Sequence, residues 1–190
     1  MGLESLFAFT LLGGMAAGAY VFETCFARKR SGNRPWLLPL VVVALFAIGM
    51  IAASTHVQSI PRAMGSLTSG TVKKDSPFAL RVVTAVVAVA CMVLMGTAYT
   101  DVFGNPVWTN APATVLSFVA GDLAMGLGLC AALGVANLSE KPVAYTMVAV
   151  DVVLAIGLAL EVAAFSAVGI SPVMQVVGLV VAPVASAVWT

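Results

Sequence analysis

Six apolar runs, each near or above the roughly 20 residues needed to cross the hydrocarbon core of a bilayer, dominate this chain. They cover about Ser5 to Phe26, Trp36 to Val57, Phe78 to Thr100, Pro112 to Val135, Val143 to Phe165 and Ser171 to Trp189. The runs are continuous and show no in–out alternation, so they predict helices and exclude lipid-facing strands. Pro35, Pro77, Pro112, Pro142 and Pro172 fall at or near predicted helix starts, where a missing N–H costs nothing. Only 9% of the residues are charged, against about 25% in a soluble domain, too few to cover a water-facing surface. The expected fold is all-α: a polytopic transmembrane helical bundle of six spans, forming one domain over residues 1–190. A net charge of +1 carries no signal for nucleic acid as a partner; membrane lipid is the expected surround.

Basic residues orient such a bundle, because they collect on the cytoplasmic side. The turn Arg28-Lys-Arg-Ser-Gly-Asn-Arg34 follows the first run, while the N-terminal Met-Gly-Leu-Glu precedes it with no basic residue. The expectation is an uncleaved first helix with its N-terminus outside, in the cytoplasmic (inner) membrane of the cell. Simple alternation of six helices leaves no bias, with four basic residues on one side and five on the other. One more crossing between Arg62 and Lys73 would place Arg28, Lys29, Arg30, Arg34, Lys73, Lys74, Arg81 and Lys141 inside and leave Arg62 alone outside. That contrast suggests a helix lost from the stretch around Gly70–Lys73.

The densest polar group beside an apolar run is Gly49-Met-Ile-Ala-Ala-Ser-Thr-His-Val-Gln-Ser-Ile-Pro-Arg-Ala-Met-Gly-Ser-Leu67, which contains the single histidine of the chain. His56 titrates near neutrality and can take a proton from a phenolic hydroxyl. Arg62 keeps its charge and can hold an anion. With Ser59 they suit the binding and deprotonation of a hydroquinone head group at the membrane edge; a hydrogen-bonded anchor is the plainer alternative for the histidine. One histidine cannot supply a bis-histidine haem.

Four carboxyls, Glu23, Asp122, Asp151 and Glu161, lie within or near the ends of predicted spans. A charge at mid-bilayer costs at least about 2.5 kcal/mol, so each is either a hydrogen-bonded packing element or part of a candidate proton path. Gly13, Gly14 and Gly18 in the first run, and Gly121, Gly126 and Gly128 around Asp122, permit close approach of helix backbones. Packing explains most of them, and a groove for a quinone or lipid tail is the sharper alternative. Cys25, Cys91 and Cys130 share no metal-binding spacing and are expected as small buried hydrophobes, with no metal site. Tyr99 and Trp108 are expected as belt residues at the interface.

The segment Gly49–His56 with Ser59 and Arg62-Ala-Met-Gly-Ser-Leu67 resembles the end of the second helix in dimethyl sulfoxide reductase anchor subunits. Lys73-Lys-Asp-Ser-Pro77 with Leu80-Arg81 is similar to the entry of a later helix in that family. Ala98-Tyr99, Pro106-Val-Trp108 and Ala111-Pro112 resemble the stretch that follows it. The resemblance implies a haem-free membrane anchor of a respiratory molybdoenzyme complex, which oxidises menaquinol as a bound substrate and passes its electrons on. The implied partners are an iron–sulfur electron-transfer subunit and a molybdopterin catalytic subunit. His56 matches the histidine of the quinol site and Arg62 the basic residue of the same motif; Asp122, Asp151 and Glu161 inherit no role. The family has eight helices, and the alignment omits its third, where the charge count also asks for a crossing, and its last. A chain without the third helix would carry everything after it in inverted orientation. The chief rival is a small secondary transporter working through Asp122, Asp151 and Glu161, although no internal repeat supports it; a purely structural anchor without a quinone site is the third reading.

Overall fold

The computed structural model describes residues 2–26, 36–54, 78–100 and 110–189. Six helices account for nearly all of them: α1 (Gly2–Phe26), α2 (Leu37–Ser54), α3 (Phe78–Thr100), α4 (Ala111–Ala132), α5 (Lys141–Ala167) and α6 (Val173–Trp189). The expected all-α membrane bundle is what the chain builds. Four helices, α1, α3, α4 and α5, are long and apolar enough to cross a membrane, whereas α2 and α6 are shorter apolar helices. At 1.5 Å per residue the 18 residues of α2 and the 17 of α6 rise only about 26 Å, just under the hydrocarbon thickness. Six full spans are therefore more than the described helices supply.

Local chemistry sets the helix boundaries. Pro112 and Pro142 occupy the first turns of α4 and α5, where proline loses no bond. Both helices stop at a glycine with positive φ, Gly134 at 68° and Gly169 at 72°. At each stop the next amide folds back five residues, Val135 N–H to the Cys130 carbonyl at 2.8 Å and Ile170 N–H to the Phe165 carbonyl at 3.0 Å. This is the left-handed glycine stop of a Schellman motif, which satisfies carbonyls that the helix itself leaves without a partner. It ends α4 three residues before, and α5 two residues after, the ends expected from hydropathy.

Contacts along α1 define the direction of every other helix. Let the upper end of the bundle be where α1 begins. Gly49 of α2 lies against Phe9 and Leu12, and Leu38 shares the core cluster with Phe22, so α2 runs upward. Arg81 donates to the Glu23 carbonyl at 3.2 Å and Tyr99 meets Thr10 at 3.1 Å, so α3 also runs upward. Helix α4 runs downward beside α1, with Asp122 at Gly14 and the Cys130 thiol donating to the Ala19 carbonyl at 3.3 Å. Helix α5 climbs, with Val143 in the lower core and Gly157 against Ser117. Helix α6 descends beside it, with Gln175 at Glu161 and Gly178 at Leu158.

Consecutive helices α2 and α3 thus point the same way. Ser54 ends at the top of the bundle and Phe78 starts at the bottom, so α3 and the helices after it are not inverted, as simple alternation would require. The extra crossing expected between Arg62 and Lys73 falls on residues outside the described ones, but the helix ends on either side of it have the polarity the charge count asked for. The described basic residues agree as well. Arg81 and Lys141 both sit at the lower end, and the ends flanking the Arg28–Arg34 turn, Phe26 and Leu37, are at that end too.

Candidate functional site

Glycine builds the centre of the molecule. Gly14 and Gly18 lie four residues apart on α1, and Asp122 and Gly126 lie four apart on α4, so each pair forms one stripe of its helix. The stripes meet backbone to backbone. A Cβ on Gly126 would overlap the backbone of Gly18 and Ala19, and one on Gly18 would overlap the Asp122 carbonyl. A Cβ on Gly14 would occupy the volume of the Asp122 carboxyl itself. Asp122 is consequently only 4% exposed, and its Oδ2 has no hydrogen-bond partner among the described residues. Gly13 and Gly128 face open space, so the expectation of close helix approach holds for Gly14, Gly18 and Gly126 and fails for those two.

Asp122 opens onto a cavity of about 260 Å³ between α1, α4, α5 and α6. Its polar lining is Thr10, Thr114, Ser117, Asp122, Glu161 and Gln175, set among Leu11, Phe118, Met125 and Phe165. The Gln175 amide donates to Glu161 Oε2 at 3.4 Å, and the Ser117 hydroxyl donates to the Ala113 carbonyl at 3.0 Å. No basic side chain lines this space among the described residues. Buried polar groups are ordinarily partnered, so an acceptor left unpartnered against a cavity marks a place for a donor. Among the described residues no three His, Cys, Asp or Glu side chains come together as metal ligands.

Tyr99 is not a belt residue. It is buried, and its hydroxyl pairs with that of Thr10. Its ring stacks on Phe118 with centroids 4.8 Å apart. Gly96 allows this by bringing α3 against α4, since a Cβ there would stand 3.0 Å from the Val115 Cα. A phenol that finds a partner inside a bundle has no need of the interface. Trp108 lies outside the described residues. Of the cysteines, Cys130 is buried as expected, whereas Cys25 and Cys91 are exposed on the outside of the bundle; in lipid an outward thiol meets hydrocarbon and incurs no penalty that would drive it inward.

The remaining candidates separate. His56, Ser59 and Arg62 lie outside the described residues, after α2 in the sequence. Asp122 and Glu161 are brought together in the cavity, and Asp151 and Glu23 are not. Asp151 lies on the stripe of α5 that carries Leu154, Leu158 and Glu161, about 15 Å below Glu161 along the axis, and its buried Oδ1 has no partner among the described residues. Glu23 is half-buried at the lower end, where its backbone carbonyl accepts from Arg81. A continuous path through all four carboxyls is therefore not formed by the described side chains. Thr10, Ser117, Phe118 and Gln175 escaped the sequence reading, because isolated hydroxyls, an amide and an aromatic in apolar helices give no sign of which face they occupy. Asp122 beside Gly126, and Glu161, were the legible signals.

No protein-family model matches this chain, and no curated protein and no solved structure matches it.

Proposed function

We propose that this chain is a haem-free anchor subunit of a respiratory molybdoenzyme complex, lying in the cytoplasmic membrane with its N-terminus outside. In this reading it binds menaquinol at the upper, outer end of the bundle. His56 takes one of the two quinol protons, and Arg62 with Ser59 steadies the anion that remains. The two electrons leave one at a time to an iron–sulfur subunit, which feeds a molybdopterin catalytic subunit. The acceptor that is finally reduced belongs to that partner.

The observation that carries this reading is the shared direction of α2 and α3. An alternating six-helix protein would have them antiparallel. A plan with one more crossing between the His–Arg motif and Lys73-Lys74 has the helices on either side of it parallel, as α2 and α3 are here. The collection of Arg81 and Lys141 at one end of the bundle supports the orientation through the positive-inside rule. In the purified complex, His56→Ala is expected to abolish reduction by quinol, by at least about 100-fold given the scale of general-base effects. Artificial electron donors acting directly on the partner subunits should still work. Unchanged quinol oxidation in that variant would sink the assignment.

A second reading, a small transporter coupled through intramembrane carboxyls, gains from one observation: Asp122 and Glu161 share a cavity. Substrate uptake by the isolated chain in liposomes, lost in Asp122→Asn, would favour it over the anchor.

A further inference from the structure

The cavity holds two carboxyls that approach it from opposite ends. Gly157 stands beside Ser117 and Leu154 beside Gly121, so α4 and α5 are in antiparallel register, and the Glu161 and Asp122 backbones differ in height by about 13 Å. Side chains tilt toward the N-terminus of their own helix. Asp122 on the descending α4 therefore leans upward, and Glu161 on the ascending α5 leans downward. Ser117, which stands beside Gly157 about one turn below the Glu161 backbone, lines the same cavity. The two carboxyls converge with Ser117 between their levels.

What lies between them is chiefly carbon. Phe118, Phe165, Met125 and Leu11 form the walls, and Phe118 already stacks on Tyr99, so a further flat ring would extend an existing stack. The two carboxyls are strong acceptors, and no basic side chain lines the cavity beside them among the described residues. Asp122 lines the cavity, and its buried Oδ2 has no partner among the described residues. A strongly hydrated cation would lose more water than these walls could replace. A neutral ring with a hydroxyl donor at each end would satisfy both carboxyls and still fill an apolar space.

We propose that this cavity is a binding site for a 1,4-dihydroxy aromatic ring, held by Asp122 at one hydroxyl and by Glu161 with Ser117 at the other. It shares no residue with the His56–Arg62 motif, so it is a second recognition element in the chain. The choice of a hydroquinone among dihydroxy-arenes rests on the anchor reading above; the site itself rests on the carboxyls and the walls. Gly14 is its positioning residue, since only glycine leaves room for the Asp122 carboxyl.

The test is equilibrium binding of anaerobic 1,4-dihydroxy-2-methylnaphthalene to the full chain in lipid nanodiscs, compared with its 1,4-dimethoxy ether, which has nearly the same shape and no donors. The diol is expected to bind at least about tenfold more tightly than the ether, the scale of one hydrogen bond to a charged or strongly accepting group. That preference should fall to within about twofold in Asp122→Ala and shrink in Glu161→Gln. Equal affinity for diol and ether in the native chain would overturn the proposal and needs no variant to fold. An unchanged preference in both folded variants would overturn it as well. In either case the anchor reading would still be judged by His56-dependent quinol oxidation in the complex. A diol preference in a complex that never oxidises quinol would keep the cavity and sink the anchor.

Discussion

The α1–α4 crossing and the outer surface of α3 show opposite uses of apolar sequence. Helix α3 is among the most apolar helices of the chain and is also among the least buried, with Val86 and Leu94 64% and 66% exposed. Helices α1 and α4 are less apolar, carry glycines and an aspartate, and make the interior: Ala16, Ala19, Leu127 and Cys130 are sealed there. In water this order would be reversed. In a bilayer the tails are as apolar as leucine, so hydrophobicity gives no reason for a side chain to turn inward. What draws helices together is the depth to which backbones can interlock and the polar atoms that must find partners. Here glycine and alanine mark the close crossing of α1 and α4, while many of the large apolar side chains, Val86 and Leu94 among them, are left to the lipid.

The comparison is broken most severely by filling the crossing. Gly126→Leu places a side chain where the α1 backbone runs. It is expected to cost more than about 3 kcal/mol and to prevent recovery of a monodisperse bundle in mild detergent. A folded Gly126→Leu protein with native unfolding behaviour would mean that α1 and α4 do not cross here. Gly14→Ala is the next step down, at about 1–2 kcal/mol, because its Cβ competes with a side chain and not with backbone. Adding Asp122→Ala should restore much of that loss, and a double-mutant cycle on unfolding in mixed micelles measures how much. Full additivity of the two changes would show that they are not in contact. Tyr99→Phe removes the hydroxyl that meets Thr10 and should cost about 0.6 kcal/mol, the average for hydrogen bonds between membrane helices. The smallest effect belongs to Gly13→Ala, one residue from Gly14 but facing open space. It should change stability by less than about 0.5 kcal/mol, and a larger loss would blur the contrast between the two stripes.

Much of the fold is legible in the sequence because the bilayer leaves the backbone no choice. A run such as Phe78–Thr100 in hydrocarbon must satisfy its amides internally, and helix is the local way to do so. The prolines at 112 and 142 mark helix starts for equally local reasons. The candidate site is legible only in part. Asp122 stands out as a charge type where charges are expensive, and Gly126 four residues on hints at a packed face. Nothing in the sequence pairs Asp122 with Glu161 in preference to Asp151, which lies closer to Glu161 along the chain but does not line the cavity. Tyr99 shows the same limit, since a tyrosine at a helix end suits the interface until a neighbouring helix offers a hydroxyl.

By itself the sequence determined that this chain is a bundle of apolar helices, through run length and the price of unsatisfied backbone in lipid. The distribution of arginine and lysine also raised the expectation of one more crossing after the His56–Arg62 motif, on residues outside the described ones. Only the tertiary structure decided which residues face inward, because lipid and protein interior are equally apolar and hydropathy does not tell them apart. The glycine stripes of α1 and α4 made that decision, and with it they placed the Asp122 carboxyl, whose Oδ2 has no partner among the described residues, beside a cavity lined by Phe118 and Phe165.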